Sequence, residues 1–222
     1  MLEIPERIRP YLRRAFSVAD ADPAAGEVEL LVRTVGVGTA GLEHLLLGSP
    51  VGLLGPLGNR FDVTGLAAGA RVAVIAGGIG AAPFPMLLRA LAAAGVVADF
   101  FLGGRTSADA ALAARFAGLP GGETILATDD GSVGERGFVT EAFRRRASVR
   151  GYARVYACGP MPMFAALAPI VAERGIPAEF STEAAMGCGF GVCLGCVLPG
   201  SNNTYIVSCT QGPILPPKRV RW

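Results

Sequence analysis

Four cysteines near the C-terminus have the residue type and spacing needed to bind metal. They follow the pattern C-x4-C-x2-C-x12-C and are Cys188, Cys193, Cys196 and Cys209. This is the spacing of plant-type [2Fe–2S] centres, in which four thiolates hold two irons. Glycines at positions 187, 189, 191 and 195 allow the backbone to fold closely around such a cluster. The pattern therefore predicts a one-electron centre.

Two other uses of these cysteines remain as alternatives. Structural zinc sites usually arrange their cysteines as two separate close pairs, and only Cys193 and Cys196 form such a pair here. Disulfides require an oxidising compartment, and the residues after Met1 show no basic segment followed by an apolar core. The iron–sulfur interpretation is favoured over both.

Composition narrows the class of protein. The chain has 222 residues, of which 51% are hydrophobic, and a net charge of +2. That length can bury one large core or two small ones, and the charge argues against a nucleic-acid partner. The uncharged window 72–88 contains three glycines and two prolines. This interruption favours a buried strand, a turn and a helix start over a membrane span, so we expect a cytoplasmic protein.

Residues 1–66 carry signals of β structure. Residues 15–18 and 28–33 have strand-like composition, and the glycines at 36, 38 and 41 are expected to mark tight turns. Such closely spaced turns are typical of small barrels. A turn cluster at residues 55–59 lies near the predicted border of this β-barrel domain.

From residue 71 the pattern alternates between strands and helices. Predicted strands lie at 72–76, 98–102, 124–128, 154–158 and 178–181, and predicted helices at 83–94, 108–117, 138–146 and 162–174. Alternation of this kind predicts a doubly wound parallel sheet. The fold class is thus α/β plus β, with a barrel at 1–66, an α/β domain at 67–180 and a cluster segment at 181–222.

A glycine-rich turn follows the first strand of the predicted α/β domain. Gly78 and Gly80 precede Pro83, which stands where the Rossmann pattern has its third glycine. Glycines here let backbone amides approach a pyrophosphate, although a tight connection is an alternative reading. Cys158 ends a later strand, and a free cysteine at such a position is often only a small buried residue.

Several short motifs together resemble the ferredoxin–NADP reductase superfamily. The sequence RAFS at 14–17 resembles its R-x-[YF]-S flavin motif, and GTAGL at 38–42 resembles its G-T-x-x-L phosphate loop. GPLG at 55–58 and CGP at 158–160 resemble two further turns of that superfamily. With the cysteine pattern added, the motif order resembles the electron-transfer subunits of class B dihydroorotate dehydrogenases, from about Tyr11 to Trp222.

The resemblance implies an FAD site in the barrel. Arg14 would pair with the FAD pyrophosphate, and Phe16 and Ser17 would border the isoalloxazine. Gly38 and Thr39 would hold phosphate oxygens.

The resemblance also implies an NAD site, and it implies that the cluster transfers electrons between this chain and a partner. Gly78 and Gly80 would approach NAD, and Cys158 would lie near the nicotinamide as the catalytic candidate. The partner would be an FMN-containing dihydroorotate dehydrogenase subunit, in a heterotetramer of two plus two chains. Electrons would pass from dihydroorotate through the partner's FMN, the [2Fe–2S] cluster and FAD to NAD, in pyrimidine biosynthesis.

Three points remain open from the sequence. A related subunit of a sulfide dehydrogenase, hydrogenase or transhydrogenase is one alternative, and a non-redox nucleotide-binding module with structural zinc is another. Relatives carry strands before the R-x-[YF]-S strand, whereas this sequence begins just after them, which implies a misassigned start or a truncated barrel. Phe190, Val192 and Leu194 form either a subunit interface or ordinary loop packing.

Overall fold

The N-terminal part consists of two-stranded ribbons and one short helix. The computed structural model describes residues 1–4, 12–119 and 121–222, so that Tyr11, where the family likeness begins, lies outside the described residues. The elements are β1 (Leu2–Glu3), β2 (Val18–Asp22), β3 (Glu27–Leu30), α1 (Val37–Glu43) and β4 (Gly52–Leu53). β1 pairs with β4 and β2 pairs with β3, both antiparallel. The described residues of this part form no closed barrel, and the predicted truncation stays a prediction.

Helix α1 corrects one sequence-based expectation. The glycines at 36, 38 and 41 were expected to mark tight turns, but two of them lie inside this helix. The Thr39 hydroxyl accepts hydrogen bonds from the backbone N–H groups of Val35 and Gly36, at 2.8 and 3.1 Å. These bonds satisfy donors that precede the first turn and so stabilise a helix start that glycine content alone disfavours.

A seven-stranded sheet forms the centre of the molecule. It is built from β5 (Arg71–Gly77), β6 (Val97–Gly104), β7 (Thr124–Thr128), β8 (Glu135–Arg136), β9 (Arg154–Cys158), β10 (Ala178–Ser181) and β13 (Ile214–Leu215). The spatial order is β13-β10-β9-β5-β6-β7-β8, and only β13 runs antiparallel to its neighbour. The order reverses between β5 and β9, which confirms the predicted doubly wound sheet and locates its switch point.

Helices cover both faces of this sheet. They are α2 (Phe84–Ala93), α3 (Ser107–Ala110), α4 (Val139–Val149) and α5 (Met161–Glu173). Alternate β5 side chains enter two separate hydrophobic cores, with Ile75 in one and Val74 in the other. Both faces of β5 are therefore buried, which explains its continuous apolar run. No helix in the described parts of the chain is long and apolar enough to cross a membrane.

One predicted helix, at 108–117, is only partly formed. The α-helical turn of α3 is followed by a 3₁₀ segment at Ala111–Phe116. Phe116 stacks on Phe100 with ring centroids 4.3 Å apart. Over Ala111–Phe116, where this packing occurs, the chain is wound more tightly than in an α-helix.

A buried carboxylate lies near the N-terminal ends of the central strands. Asp99 is fully buried and accepts hydrogen bonds from the Glu123 N–H at 3.0 Å, Arg150 at 2.8 Å and Tyr152 at 3.0 Å, as well as from Arg71. Burial by itself would raise the pKa of Asp99, but these donors outweigh it and lower the pKa below its ordinary value. The network ties β5, β6, β7 and the connection from α4 to β9 together.

The C-terminal segment joins this sheet and also forms its own small unit. β11 (Val197–Pro199) pairs antiparallel with β12 (Tyr205–Val207), and the short helix α6 (Ser208–Gln211) follows. β13 then returns to the edge of the large sheet beside β10. The cluster segment is thus anchored to the nucleotide-type domain through the backbone.

Candidate functional site

The cysteine loop presents backbone N–H groups to sulfur. Cys193 N–H points at Cys188 Sγ (3.4 Å), Gly195 N–H at Cys193 Sγ (3.5 Å), and Cys209 N–H at Cys196 Sγ (3.3 Å). Gly189 and Gly191 have φ of +85° and +91°, backbone conformations that favour glycine. Hydrogen bonds from N–H groups stabilise thiolates and tune iron–sulfur centres.

The electrostatics of the loop agree with this geometry. The backbone N–H groups of Cys193 and then Phe190 lower the pKa of Cys188 to about 6. Burial raises the pKa of Cys209, and the neighbouring Cys196 adds to that effect. Metal binding requires deprotonated thiols, and the lowered pKa of Cys188 favours that form.

The four thiols of the loop act on one another. Cys188 interacts with Cys193, and Cys209 interacts with both Cys196 and Cys188. Within residues 1–4, 12–119 and 121–222, no three His, Cys, Asp or Glu side chains gather closely enough to hold one metal ion. A [2Fe–2S] cluster shares four cysteines between two irons, whereas a zinc site gathers four ligands around one ion. The four cysteines, with backbone N–H groups directed at their sulfurs, fit a [2Fe–2S] cluster.

The N-terminal part packs directly against the cysteine loop. A β-carbon on Gly189 would lie 2.7 Å from Met1 Cγ, and one on Gly187 would lie 3.9 Å from Leu12 Cδ1. Asn59 exchanges two hydrogen bonds with the backbone of Ile214, at 2.8 and 2.9 Å. The segment that bears the candidate flavin motif is therefore a neighbour of the candidate cluster site.

The glycine turn after β5 lies at the switch point of the sheet. A β-carbon on Gly80 would lie 2.4 Å from the Cys158 carbonyl oxygen, so only glycine allows the turns after β5 and β9 to approach this closely. Gly78 has a φ of +54° and begins a 3₁₀ segment. The structure thus brings Gly78, Gly80 and Cys158 together in the crevice where ligands of doubly wound sheets bind. These residues fit a nucleotide pyrophosphate.

Cys158 is a neutral thiol at physiological pH. It is 3% exposed, and burial raises its pKa to about 12, with the charge of Glu183 acting in the same direction. A hydrogen bond with Ser181, its register partner on β10, opposes the shift but does not overcome it. The thiol can line the crevice, but it is not prepared to act as a nucleophile.

The candidate flavin residues form two separate groups. Arg14 pairs with Leu2 through the backbone, and its guanidinium donates to the Leu12 carbonyl oxygen at 2.8 Å. Phe16 is half-buried and Ser17 is exposed, so the extended segment after Arg14 keeps an open face that a planar ring can cover.

Gly38 and Thr39 form the second group, in the first turn of α1. The Thr39 hydroxyl already bonds its own turn. No hydrogen bond within the described residues joins this turn to Arg14, Phe16 or Ser17.

Sequence reasoning missed several residues that organise the site. Met1, Leu12, Asn59 and Arg33 all make contacts between segments far apart in the chain. Asn59 ends a turn cluster that the sequence did mark, but nothing in that pattern names Ile214 as its partner. Long-range contacts of this kind leave no periodic signal.

Comparison with known proteins assigns two parts of the chain. Residues 183–221 match the family model for the iron–sulfur cluster binding domain of dihydroorotate dehydrogenase B. Residues 74–168 match the model for the oxidoreductase NAD-binding domain. These matches confirm the predicted iron–sulfur and NAD-binding parts.

A solved structure supports the fold. The chain superposes with a TM-score of 0.84 on the NADH-dependent reduced ferredoxin–NADP oxidoreductase studied for flavin-based electron bifurcation, at 28% identity. The match covers 95% of this chain and 75% of that one. The predicted ferredoxin reductase-like fold is therefore confirmed.

Two curated relatives extend the likeness to nearly the whole chain. One from Desulforamulus reducens is 38% identical over 96% of this chain and 81% of its own length. Another from Geobacillus thermodenitrificans is 39% identical over 96% of this chain and 81% of its own length. Each is named the electron transfer subunit of dihydroorotate dehydrogenase B (NAD(+)). The predicted family and the predicted class of NAD-linked oxidoreductase subunit are confirmed: this chain belongs to the family of dihydroorotate dehydrogenase B electron transfer subunits.

Proposed function

We propose that this chain exchanges electrons between NAD and a partner subunit that oxidises dihydroorotate, in pyrimidine biosynthesis. The observation that carries the proposal is the packing of the N-terminal segment against the cysteine loop. Met1 and Leu12 contact the loop at Gly189 and Gly187, while Arg33 of the same segment lies beside Gly78 in the nucleotide crevice. A group bound to the N-terminal segment would therefore have the cysteine loop on one side and the nucleotide crevice on the other.

Three cofactors supply the redox chemistry: nicotinamide exchanges electron pairs as hydride, a [2Fe–2S] cluster exchanges single electrons, and FAD does both. FAD is supported by the likeness to the flavin-based oxidoreductase. We assign Arg14, Phe16, Ser17, Gly38 and Thr39 to FAD. Arg14 supplies positive charge for phosphate, and the open face after it accepts a ring.

The nucleotide crevice holds NAD through its backbone. Gly78 and Gly80 offer amides at a place where a side chain would block the approach. Cys158 closes the inner wall as a neutral thiol. We assign to it the role of lining the nicotinamide end and excluding water there.

We assign Cys188, Cys193, Cys196 and Cys209 to the [2Fe–2S] cluster, which would exchange single electrons there. Cys193 is exposed and Cys188 is half-buried, whereas Cys196 and Cys209 are buried, so the first two cysteines lie nearer the surface. The N–H groups of Cys193 and Cys209, which point at Cys188 Sγ and Cys196 Sγ, would orient these thiolates for the cluster.

The outward side of the loop is the proposed docking surface for the partner. Phe190, Val192 and Leu194 are 51%, 74% and 60% exposed, which is unusual for large apolar side chains in one short loop. This exposure favours the subunit interface over loop packing. We propose an FMN-containing dihydroorotate dehydrogenase subunit as the partner, in a cytoplasmic assembly of two plus two chains.

The test is co-expression with a dihydroorotate dehydrogenase catalytic subunit, followed by visible and paramagnetic-resonance spectra. We expect flavin and [2Fe–2S] signals in the co-purified complex, and reduction of both by NADH or dihydroorotate. Iron, zinc and acid-labile sulfide are measured on the same sample. Zinc without sulfide or flavin would sink the redox assignment. A complex that carries both cofactors but does not oxidise dihydroorotate would point to the related sulfide dehydrogenase, hydrogenase or transhydrogenase subunits.

A further inference from the structure

The chain that leaves β10 towards the cysteine loop carries a carboxylate to which the sites above give no role. Ser181 ends β10, and Thr182 and Glu183 follow it. Ser181 is the register partner of Cys158 on β9, and the two side chains form a hydrogen bond. The N–H and the hydroxyl of Thr182 both donate to the Pro213 carbonyl oxygen, at 2.9 and 2.8 Å. The backbone that leads to Glu183 is therefore held on both sides.

The side chain of Glu183 is directed to the same part of the sheet as that of Ser181. The pairing with the last strand continues through Thr182, and side chains two residues apart on an extended chain lie on one face. The negative charge of Glu183 acts on the Cys158 thiol, where it adds to the effect of burial on the pKa. Glu183 is exposed, whereas Cys158 is 3% exposed. The carboxylate therefore lies at the open side of the crevice wall that Cys158 closes.

The Glu183 carboxylate is not neutralised by an ion pair. Among residues 1–4, 12–119 and 121–222, no arginine or lysine lies within ion-pair distance of it. Arg105 and Asp129, which follow β6 and β7, lie on the other side of the switch point. A dinucleotide binds across that point with one half on each side. The half assigned to nicotinamide, beside Cys158, therefore has the charge of Glu183.

We propose that the Glu183 carboxylate stabilises the positively charged nicotinamide ring of NAD⁺ and so shifts the preference of the site from NADH towards NAD⁺. When NADH transfers a hydride to a flavin, its neutral ring becomes a cation. A negative charge nearby favours the cationic form. In the direction that reduces NAD⁺, the same carboxylate holds the cationic substrate and releases the neutral product. The inference rests on the proposed NAD site at Gly78, Gly80 and Cys158.

The test is calorimetric titration of the purified complex with two probes. One is NAD⁺, and the other is tetrahydro-NAD, a redox-inert analogue whose nicotinamide ring is neutral. We expect Glu183→Gln to raise the Kd of NAD⁺ about fivefold, the size expected for one partly solvated charge pair, and to leave the Kd of tetrahydro-NAD unchanged. Glu183→Asp keeps the charge and should bind NAD⁺ more tightly than Glu183→Gln. The matched control is Glu173→Gln, because Glu173 is also exposed but ends α5, just before the start of β10.

The ratio of the two dissociation constants separates an effect of charge from a structural one. An equal loss of affinity for both probes in Glu183→Gln would overturn the proposal, because a change in the shape of the crevice affects both nucleotides alike. Unchanged NAD⁺ binding, or an equal change in Glu173→Gln, would also overturn it. The difference between the wild type and Glu183→Gln should shrink as the salt concentration rises. A wild-type complex that fails to bind NAD⁺ would instead contradict the proposed function itself.

Discussion

Gly80 lies so close to Cys158 that a β-carbon on Gly80 would sit 2.4 Å from the Cys158 carbonyl oxygen. The turn after β5 and the turn after β9 are therefore packed backbone to backbone at the switch point of the sheet. The atoms in contact belong to the backbone and not to flexible side chains, so they cannot move aside for an added methyl group at low energetic cost.

Replacing Gly80 with alanine should displace the nucleotide turn. We expect Gly80→Ala to lower the free energy of unfolding by about 1–3 kcal/mol, as overpacking does, and to weaken NAD⁺ binding. Thermal unfolding and NAD⁺ titration measure the two effects. Gly151→Ala is the control, because a β-carbon there has no heavy atom within 4 Å. Equal behaviour of the two variants would show that the close approach has no consequence.

The cysteine ligands should separate from the nucleotide chemistry. We expect Cys193→Ser to lose the [2Fe–2S] spectrum and most of its iron, while NADH still reduces the flavin. Serine replaces a thiolate with a poor iron ligand, and the Cys193 side chain is exposed. Iron analysis and stopped-flow flavin reduction are the measurements. In the control Cys158→Ser, the iron content should stay at the wild-type level. If folded Cys193→Ser lost the reduction of the flavin by NADH together with the cluster, this separation of roles would be refuted.

The state of Cys158 predicts its reactivity. With a pKa of about 12, roughly one Cys158 thiol in 10,000 is ionised at pH 8. We expect iodoacetamide to leave Cys158 unmodified at that pH in the folded complex and to alkylate it in urea, as mass spectrometry of peptides can show. The raised pKa also means that Cys158 contributes stability below its ordinary pKa of 9.0, and that this contribution is lost as the pH rises toward 12. Rapid alkylation in the native protein would contradict the neutral thiol.

The buried carboxylate of Asp99 should contribute strongly to the free energy of unfolding. It lies near the N-terminal ends of the strands, opposite the nucleotide crevice. We expect Asp99→Asn to lower the free energy of unfolding by about 3 kcal/mol, because Arg71 and Arg150 would lose their shared partner. The control Glu141→Gln, which breaks an exposed pair, should change it by less than about 0.5 kcal/mol. Urea unfolding at neutral pH compares the two variants.

Acid unfolding adds a second measurement for Asp99. Because the pKa of Asp99 lies below its ordinary value of 3.8, its contribution is complete above that pH and disappears as the pH falls through the lowered pKa. Stability of Asp99→Asn should therefore depend less on pH in this acidic range than that of the wild type. Parallel curves for the two proteins would show that Asp99 does not titrate with folding.

Local patterns in the sequence determined much of this protein. The cysteine spacing predicted the iron–sulfur segment. Apolar runs that alternate with helical segments predicted β5, β7, β9 and β10 within a residue or two. These signals are strong because a strand buried on both faces must be apolar throughout, and because the cluster requires thiolates at a fixed spacing. The glycine turn before Pro83 was also visible, since only glycine permits its close approach.

Tertiary structure decided what those parts touch. The return of β13 to the sheet edge, the packing of Met1 and Leu12 on the cysteine loop, and the reach of Arg33 to Gly78 join residues far apart in the chain. The neutral state of Cys158 likewise follows from burial between β5 and β10. Such relationships depend on how whole elements pack, and packing imposes no period or spacing on the residues that make the contact.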